Sequence, residues 1–198
     1  MNQLKLIFSL VLLCLAAVFA AAQTDDKTRP APNYEITLSV LIGSNDANSR
    51  NDLPANLGNI SKQLKSTFGL SNVRIANTFL GRIGNNGNFE YKSTADLQGR
   101  ESTEDAMTFL DWSVADFHSV ATGYQAQSFR FGARIPVRML AAGAEPGKTV
   151  AVTNYESIGL NFARIGIPEN VPTLLGTLTL PKTSGTLFLV MNVAPADK

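Results

Sequence analysis

Phe129-Arg130-Phe131-Gly132-Ala133-Arg134-Ile135-Pro136-Val137-Arg138-Met139 reads with a period of two. Phe129, Phe131, Ala133, Ile135, Val137 and Met139 fall on one side, and Arg130, Arg134 and Arg138 on the other. Successive side chains of a strand point to opposite faces, so this spacing predicts a β-strand with one face on a core and the other in water. Pro136 has no N–H to give to a ladder, which predicts a strand at a sheet edge. Arginines on its open face would discourage edge-to-edge association there. A guanidinium fork also binds carboxylates and phosphates in bidentate fashion, which makes Arg130, Arg134 and Arg138 the candidate binding residues.

Working outward, residues 149–153, 157–165, 173–180 and 186–193 carry further strand signals, with turns expected at 143–147 and 181–185. Upstream, Tyr34, Ile36, Leu38, Val40 and Ile42 alternate with Glu35, Thr37, Ser39 and Leu41, again a strand. A polar loop over 43–50 leads to Leu53, Leu57, Ile60, Leu64 and Phe68, spaced as one face of a helix. Asn51 or Asp52 can cap that helix, Pro54 suits its first turn, and Gly69 can adopt the left-handed conformation that ends it. Residues 73–82 alternate once more, and Gly84-Asn85-Asn86-Gly87-Asn88 then predicts a hairpin into 89–92. Residues 93–123 admit two readings, a helix over 101–111 or a short strand over 109–114. The fold class expected is α+β, mainly antiparallel β-sheet with one amphipathic helix near the N-terminus of the mature chain.

The first residues read differently. Lys5 precedes an apolar run from Leu6 to Ala22, interrupted only by Ser9 and ending in small residues, the layout of a cleavable secretory signal. Cleavage after Ala22 leaves a polar leader over 23–33 with Pro30 and Pro32, and a single domain over 34–198. The run is at the short end of the roughly 17–25 residues that span a bilayer, so no stable membrane span is expected after cleavage. The only cysteine, Cys14, leaves with the signal. Disulfide stapling, thiolate metal sites and a cysteine nucleophile are thereby excluded from the mature chain. The chain has 17 basic and 16 acidic residues, and loss of Lys5 makes the mature form formally neutral. Nucleic acid is therefore not an expected partner.

Few groups suggest catalysis. His118 is the only histidine, and Asp111, Ser113, Asp116 and Ser119 lie near it in sequence. A hydrolytic triad needs those groups gathered in space, and no Gly-x-Ser-x-Gly elbow surrounds any serine. Zinc would have to rely on carboxylates, an uncommon set. Asp46, Asn48 and Asp52 offer oxygen ligands for calcium, but no bidentate glutamate follows, and loop and capping roles suit them better. No cofactor is expected. Trp112, Tyr124 and Tyr155 would form a sugar-stacking platform if exposed, although core packing suits Trp112 better.

The stretches Gly159-Leu160-Asn161-Phe162-Ala163-Arg164-Ile165, 167–178 and 186–195 resemble the strand, turn, Gly-containing strand and closing strand near the end of bacterial secretin modules. Where secretins have a Gly-Gly pair, Gly176 is here followed by Thr177, and the chain is too short for a secretin pore. The resemblance implies an exported bacterial envelope protein and no functional residue. Export, abundant strands and scarce catalytic groups together lead to the expectation of a non-enzymatic binding or structural protein, periplasmic or extracellular, that offers a sheet face or edge to another envelope protein. A secreted hydrolase or carbohydrate-binding domain is the competing class.

Overall fold

Two four-stranded antiparallel sheets carry the fold, in the orders β2-β1-β8-β7 and β3-β4-β5-β6. The strands are β1 (Asn33–Ser44), β2 (Asn72–Gly84), β3 (Gly87–Ala95), β4 (Thr108–Val120), β5 (Gly123–Ala142), β6 (Thr149–Ile167), β7 (Thr173–Thr179) and β8 (Thr186–Pro195); between β1 and β2 a 3-10 turn (Ala55–Leu57) leads into the one α-helix among the described residues, α1 (Gly58–Phe68). The computed structural model describes residues 33–45, 53–97, 107–142, 148–182 and 185–196. The expected signal segment, the leader up to Pro32, the Asp46–Asn48–Asp52 oxygen set, the Asn51 and Asp52 caps and the 143–147 turn lie outside the described residues.

The alternation in β1 decides how the layers stack. Ile36, Leu38, Val40 and Ile42 face the second sheet, where they meet Leu110, Trp112 and Val114 of β4 and Phe129, Phe131 and Ile135 of β5 in one buried cluster. Leu41, on the opposite side of β1, packs with Val73, Phe188 and Val190 under Leu57, Ile60 and Leu64. Those last three are the helical stripe read from the sequence, and Gly69 ends α1 at φ 63°, a conformation without penalty for glycine. The order of layers is therefore helix, sheet, sheet. The helix covers one end of the outer face of the first sheet and leaves Thr78, Leu80 and Arg82 exposed on it, whereas the second sheet has one face on the core and one in water.

Three expectations need correction. The Asn-Gly turn exists, with Asn86 at φ 59°, but β2 pairs with β1 and β3 with β4. The turn is a corner that carries the chain from one sheet to the other. A local turn signal specifies chain reversal and is silent about whether the flanking strands pair. Secondly, the 129–139 stretch belongs to β5, an interior strand between β4 and β6. Pro136 is tolerated because pairing with β4 ends at Phe109↔Arg134, so a nitrogen without a proton costs no ladder bond on that side. Thirdly, 149–153 and 157–165 are parts of a single strand, β6. In the ambiguous middle the strand alternative holds for the described part, since Leu110, Trp112 and Val114 alternate into the core.

The second sheet carries an interruption that runs across three strands. Core-facing side chains step by two and then once by three, from Val114 to Phe117 in β4, from Ala126 to Phe129 in β5, and from Phe162 to Ile165 in β6. The extra residues are level with one another. Asp116 and Arg164 adopt φ 50° and 55° there, and the Arg164 Nε–H donates to Gln127 Oε1 at 3.3 Å. Because the three strands step together, their mutual register does not shift. β3 lacks the extra residue, and its register with β4 slips between Gly87 and Phe89. Bulges of this kind bend and twist a sheet locally.

Candidate binding face

The water-facing side of the second sheet can be read row by row from the strand register. Glu90, Ser113, Arg130 and Asn161 form one row; Lys92, Asp111, Gly132 and Gly159 the next; Thr94, Phe109, Arg134 and Ser157 the third. Arg130 and Arg134 are thus about 13 Å apart along β5, with two glycines opposed between them. The missing side chains leave a shallow depression of about 520 Å³, bordered by Arg130, Arg134, Asp111, Ser157 and Asn161. Asp111 leans over its floor, since a Cβ on Gly132 would stand 2.7 Å from Asp111 Oδ1.

Charge on this face is mixed but mostly basic. Lys92 Nζ and Glu90 Oε1 pair at 2.8 Å in full solvent. The Lys92 hydrogen bond and charge hold the Glu90 carboxyl below the ordinary carboxylate range, with a smaller contribution from Arg130. The same bond raises Lys92, and the Asp111 charge adds to it. An exposed pair of this kind contributes little to stability. Its consequence is that Glu90 is already engaged by Lys92, which limits how far it offsets Arg130.

An aromatic group adjoins the depression. The Arg134 guanidinium carbon lies 4.9 Å from the centre of the Phe109 ring, and Phe109 and Tyr155 are 5.7 Å apart. Both rings are about two-fifths exposed, Phe109 at 40% and Tyr155 at 41%. Arginine over an aromatic face is held by the ring quadrupole, so the Phe109 ring helps to orient Arg134. Arg138 lies on the same face opposite Thr153, beyond the depression, which Arg130 and Arg134 alone of the three border.

The other sequence candidates go elsewhere. Trp112 and Tyr124 are buried, so no three-ring sugar platform forms. His118 places Nδ1 3.1 Å from the Asp116 carbonyl oxygen and Nε2 3.2 Å from Gln125 Oε1, engaging both ring nitrogens. Asp111 is seven residues back along β4, roughly 23 Å for an extended strand. Among the described residues no group of three or more His, Cys, Asp or Glu side chains could hold a metal ion, and no helix is long and apolar enough to cross a membrane. Sequence reasoning missed Phe109 and the opposed glycines, and named Tyr155 only as one ring of a sugar-stacking platform. A lone glycine inside each strand pattern was the available signal, since such a glycine often marks a close approach by a ligand or another backbone.

No family model matches this chain, and no match is found among curated proteins.

Proposed function

We propose that the chain is an exported, non-enzymatic protein of the bacterial envelope that recognises another protein through the open face of its second sheet. The observation that carries this reading is the grouping of arginine and aromatic side chains on the outer face of the second sheet. Arg130 and Arg134 border a depression there, and Arg134 stands over Phe109, which packs on Tyr155. Arginine and aromatic side chains are the residues over-represented at protein interfaces and their hot spots. Export rests on the signal-like N-terminal segment and the resemblance to secretin modules. The competing hydrolase reading has less support, because Asp111 and His118 stand far apart on one strand and the imidazole bonds to Gln125 and a carbonyl.

The test is capture of partners by the mature protein from its native host, compared with the Arg130→Ala/Arg134→Ala/Arg138→Ala variant, with mass-spectrometric identification. Recovery of one envelope protein by the unmodified chain, reduced at least about tenfold by the variant, is expected for a hot-spot loss of 1.4 kcal/mol or more. Equal recovery by both forms would reduce the arginines to a solubility role.

A further inference from the structure

The edge strands of the two sheets are β2, β7, β3 and β6, and they are not guarded alike. β2 carries Arg74 and Arg82, β3 carries Glu90 and Lys92, and β7 is only 7 residues long. Along β6, from Thr149 to Ala163, Glu156 is the single charged residue and no proline occurs. Charges, prolines and shortness are the usual means of keeping a strand edge from pairing. β6 bonds to β5 on one side and has no neighbour on the other among the described strands. Its backbone groups on that side are open to an added strand.

The side chains beside that edge specify what the added strand must carry. Ile158, Leu160 and Phe162 pack partly buried against the core cluster, whereas Ser157, Gly159 and Asn161 are exposed on the water side. Residues opposite Ile158 and Leu160 would therefore be apolar, and the one between them, opposite Gly159, would lie on the water side. Gly159 and Gly132 have no side chains to fence that position, so the depression runs out to the free edge across Gly159. Of the polar side chains bordering it, Arg130, Arg134, Ser157 and Asn161 can donate hydrogen bonds, and Asp111 alone cannot. At a strand spacing of about 5 Å, a glutamate opposite Gly159 reaches toward Gly132, where the two guanidinium forks can meet it. This chain does not supply such a residue itself. Outside the described residues, Glu145 alone among the acidic residues has an apolar residue on both sides. It belongs to the short link between Ala142 and Thr149, which meets β6 roughly 33 Å from Gly159 along the strand.

We propose that the partner protein adds an extended segment of apolar, acidic and apolar residues to the free edge of β6, its acidic side chain crossing Gly159 to lie between Arg130 and Arg134. This rests on the partner reading above and names the segment by which that partner is held. Main-chain bonds along the edge supply affinity, and the carboxylate in the glycine gap supplies specificity. Asp111 then acts against the arginines. Its carboxylate leans over Gly132, where the incoming one would lie, so it opposes the binding that Arg130 and Arg134 favour.

The probe is a capped peptide of alternating threonine and valine with a central glutamate, tailed with serine and glycine for solubility, beside the same peptide with glutamine. Each is titrated into the isotope-labelled mature chain and followed by NMR. The glutamate peptide should shift the amide resonances of residues 157–161 with Kd about 0.1–1 mM, and the glutamine peptide should bind at least about tenfold more weakly. Asp111→Asn should tighten the glutamate peptide roughly threefold, whereas Arg130→Ala/Arg134→Ala should abolish the difference between the two peptides, with the first-sheet resonances unchanged. Equal binding of both peptides, shifts confined to other strands, or weaker binding by Asp111→Asn would overturn the proposal. So would the same shifts from inorganic phosphate at equal concentration, the sign of a general anion site, or from unlabelled chain, the sign of a second copy at the edge. A host protein captured through the arginines but not competed by the glutamate peptide would overturn this proposal and leave the partner reading standing. Glutamate-dependent peptide binding without any captured host protein would support the edge chemistry and count against the partner reading instead.

Discussion

Phe89 sets the Cε2–Cζ edge of its ring against Gly81, across the corner where the chain passes from β2 to β3. A Cβ on Gly81 would overlap ring atoms Cε2 and Cζ. The ring has little room to retreat, since it also packs on Trp112 with centroids 4.8 Å apart. The corner thus closes one open end of the sandwich by placing an aromatic ring where a side chain would stand.

Gly81→Ala should therefore destabilise the protein by about 1–3 kcal/mol, the usual cost of overpacking. In urea the midpoint should fall while the slope stays unchanged. Phe89→Leu should cost less in the Gly81→Ala background than alone, because the two positions share one space. Strict additivity of the two changes would show that the contact does not restrict either residue.

Trp112 tests the interior. Its indole is 1% exposed, packed among Phe79, Phe89, Tyr91 and Phe129, and Nε1 is buried without a hydrogen-bond partner. A buried donor left unpaired costs about 1–3 kcal/mol, which phenylalanine would recover while losing some packing. Trp112→Phe should cost under about 2 kcal/mol, against about 3–5 kcal/mol for Trp112→Ala. As the only tryptophan, it should emit at blue-shifted wavelengths and resist iodide quenching. Equal costs for the two substitutions would mean that the N–H is bonded in solution.

Much of this was legible from periodicity, and the failures share one cause. β1 and α1 could be read because each keeps one period from end to end. β4 could not, because the extra residue at Ala115-Asp116 breaks the alternation just after Val114. The compensating steps at Gln127-Ser128 and Ala163-Arg164 are visible only once the three strands are aligned. The interior position of β5 depended on where β4 ends, and the 84–88 corner on which strands its neighbours join. The same holds for the site. The arginine side of β5 followed from alternation, but Phe109, Gly159 and Tyr155 join it only through register with β4 and β6.

Tyr124 gives a pH dependence with a definite sign. Burial raises its phenol above the ordinary range, with the Glu169 charge and then Tyr34 adding to the shift. The ring is held edge-on to Tyr34 at 4.9 Å and stacked on Phe117 at 5.5 Å. The folded state thus favours the neutral phenol. That stability is fully present below the unfolded pKa, near 10, and is lost as pH rises from there through the folded value. Urea unfolding between about pH 8 and about pH 11, bracketing that ordinary value, should show a smaller alkaline loss for Tyr124→Phe than for the parent. Parallel curves would place the alkaline sensitivity in other groups.

The opposed glycines separate stability from recognition. A Cβ on Gly132 would stand 2.7 Å from Asp111 Oδ1, the end of a side chain that can swing aside, whereas one on Gly159 would stand 2.7 Å from the Phe131 carbonyl oxygen, which is backbone. Gly132→Ala should therefore cost less than about 1 kcal/mol, and Gly159→Ala about 1–3 kcal/mol, because there the ladder itself must give. Both fill the depression between Arg130 and Arg134. If that depression receives a partner, Gly132→Ala should lower partner recovery about as much as loss of an arginine while leaving the urea midpoint nearly unchanged. Full recovery with a filled floor would move recognition to the raised rim formed by Arg134, Phe109 and Tyr155, where Tyr155→Ala is the next substitution to measure.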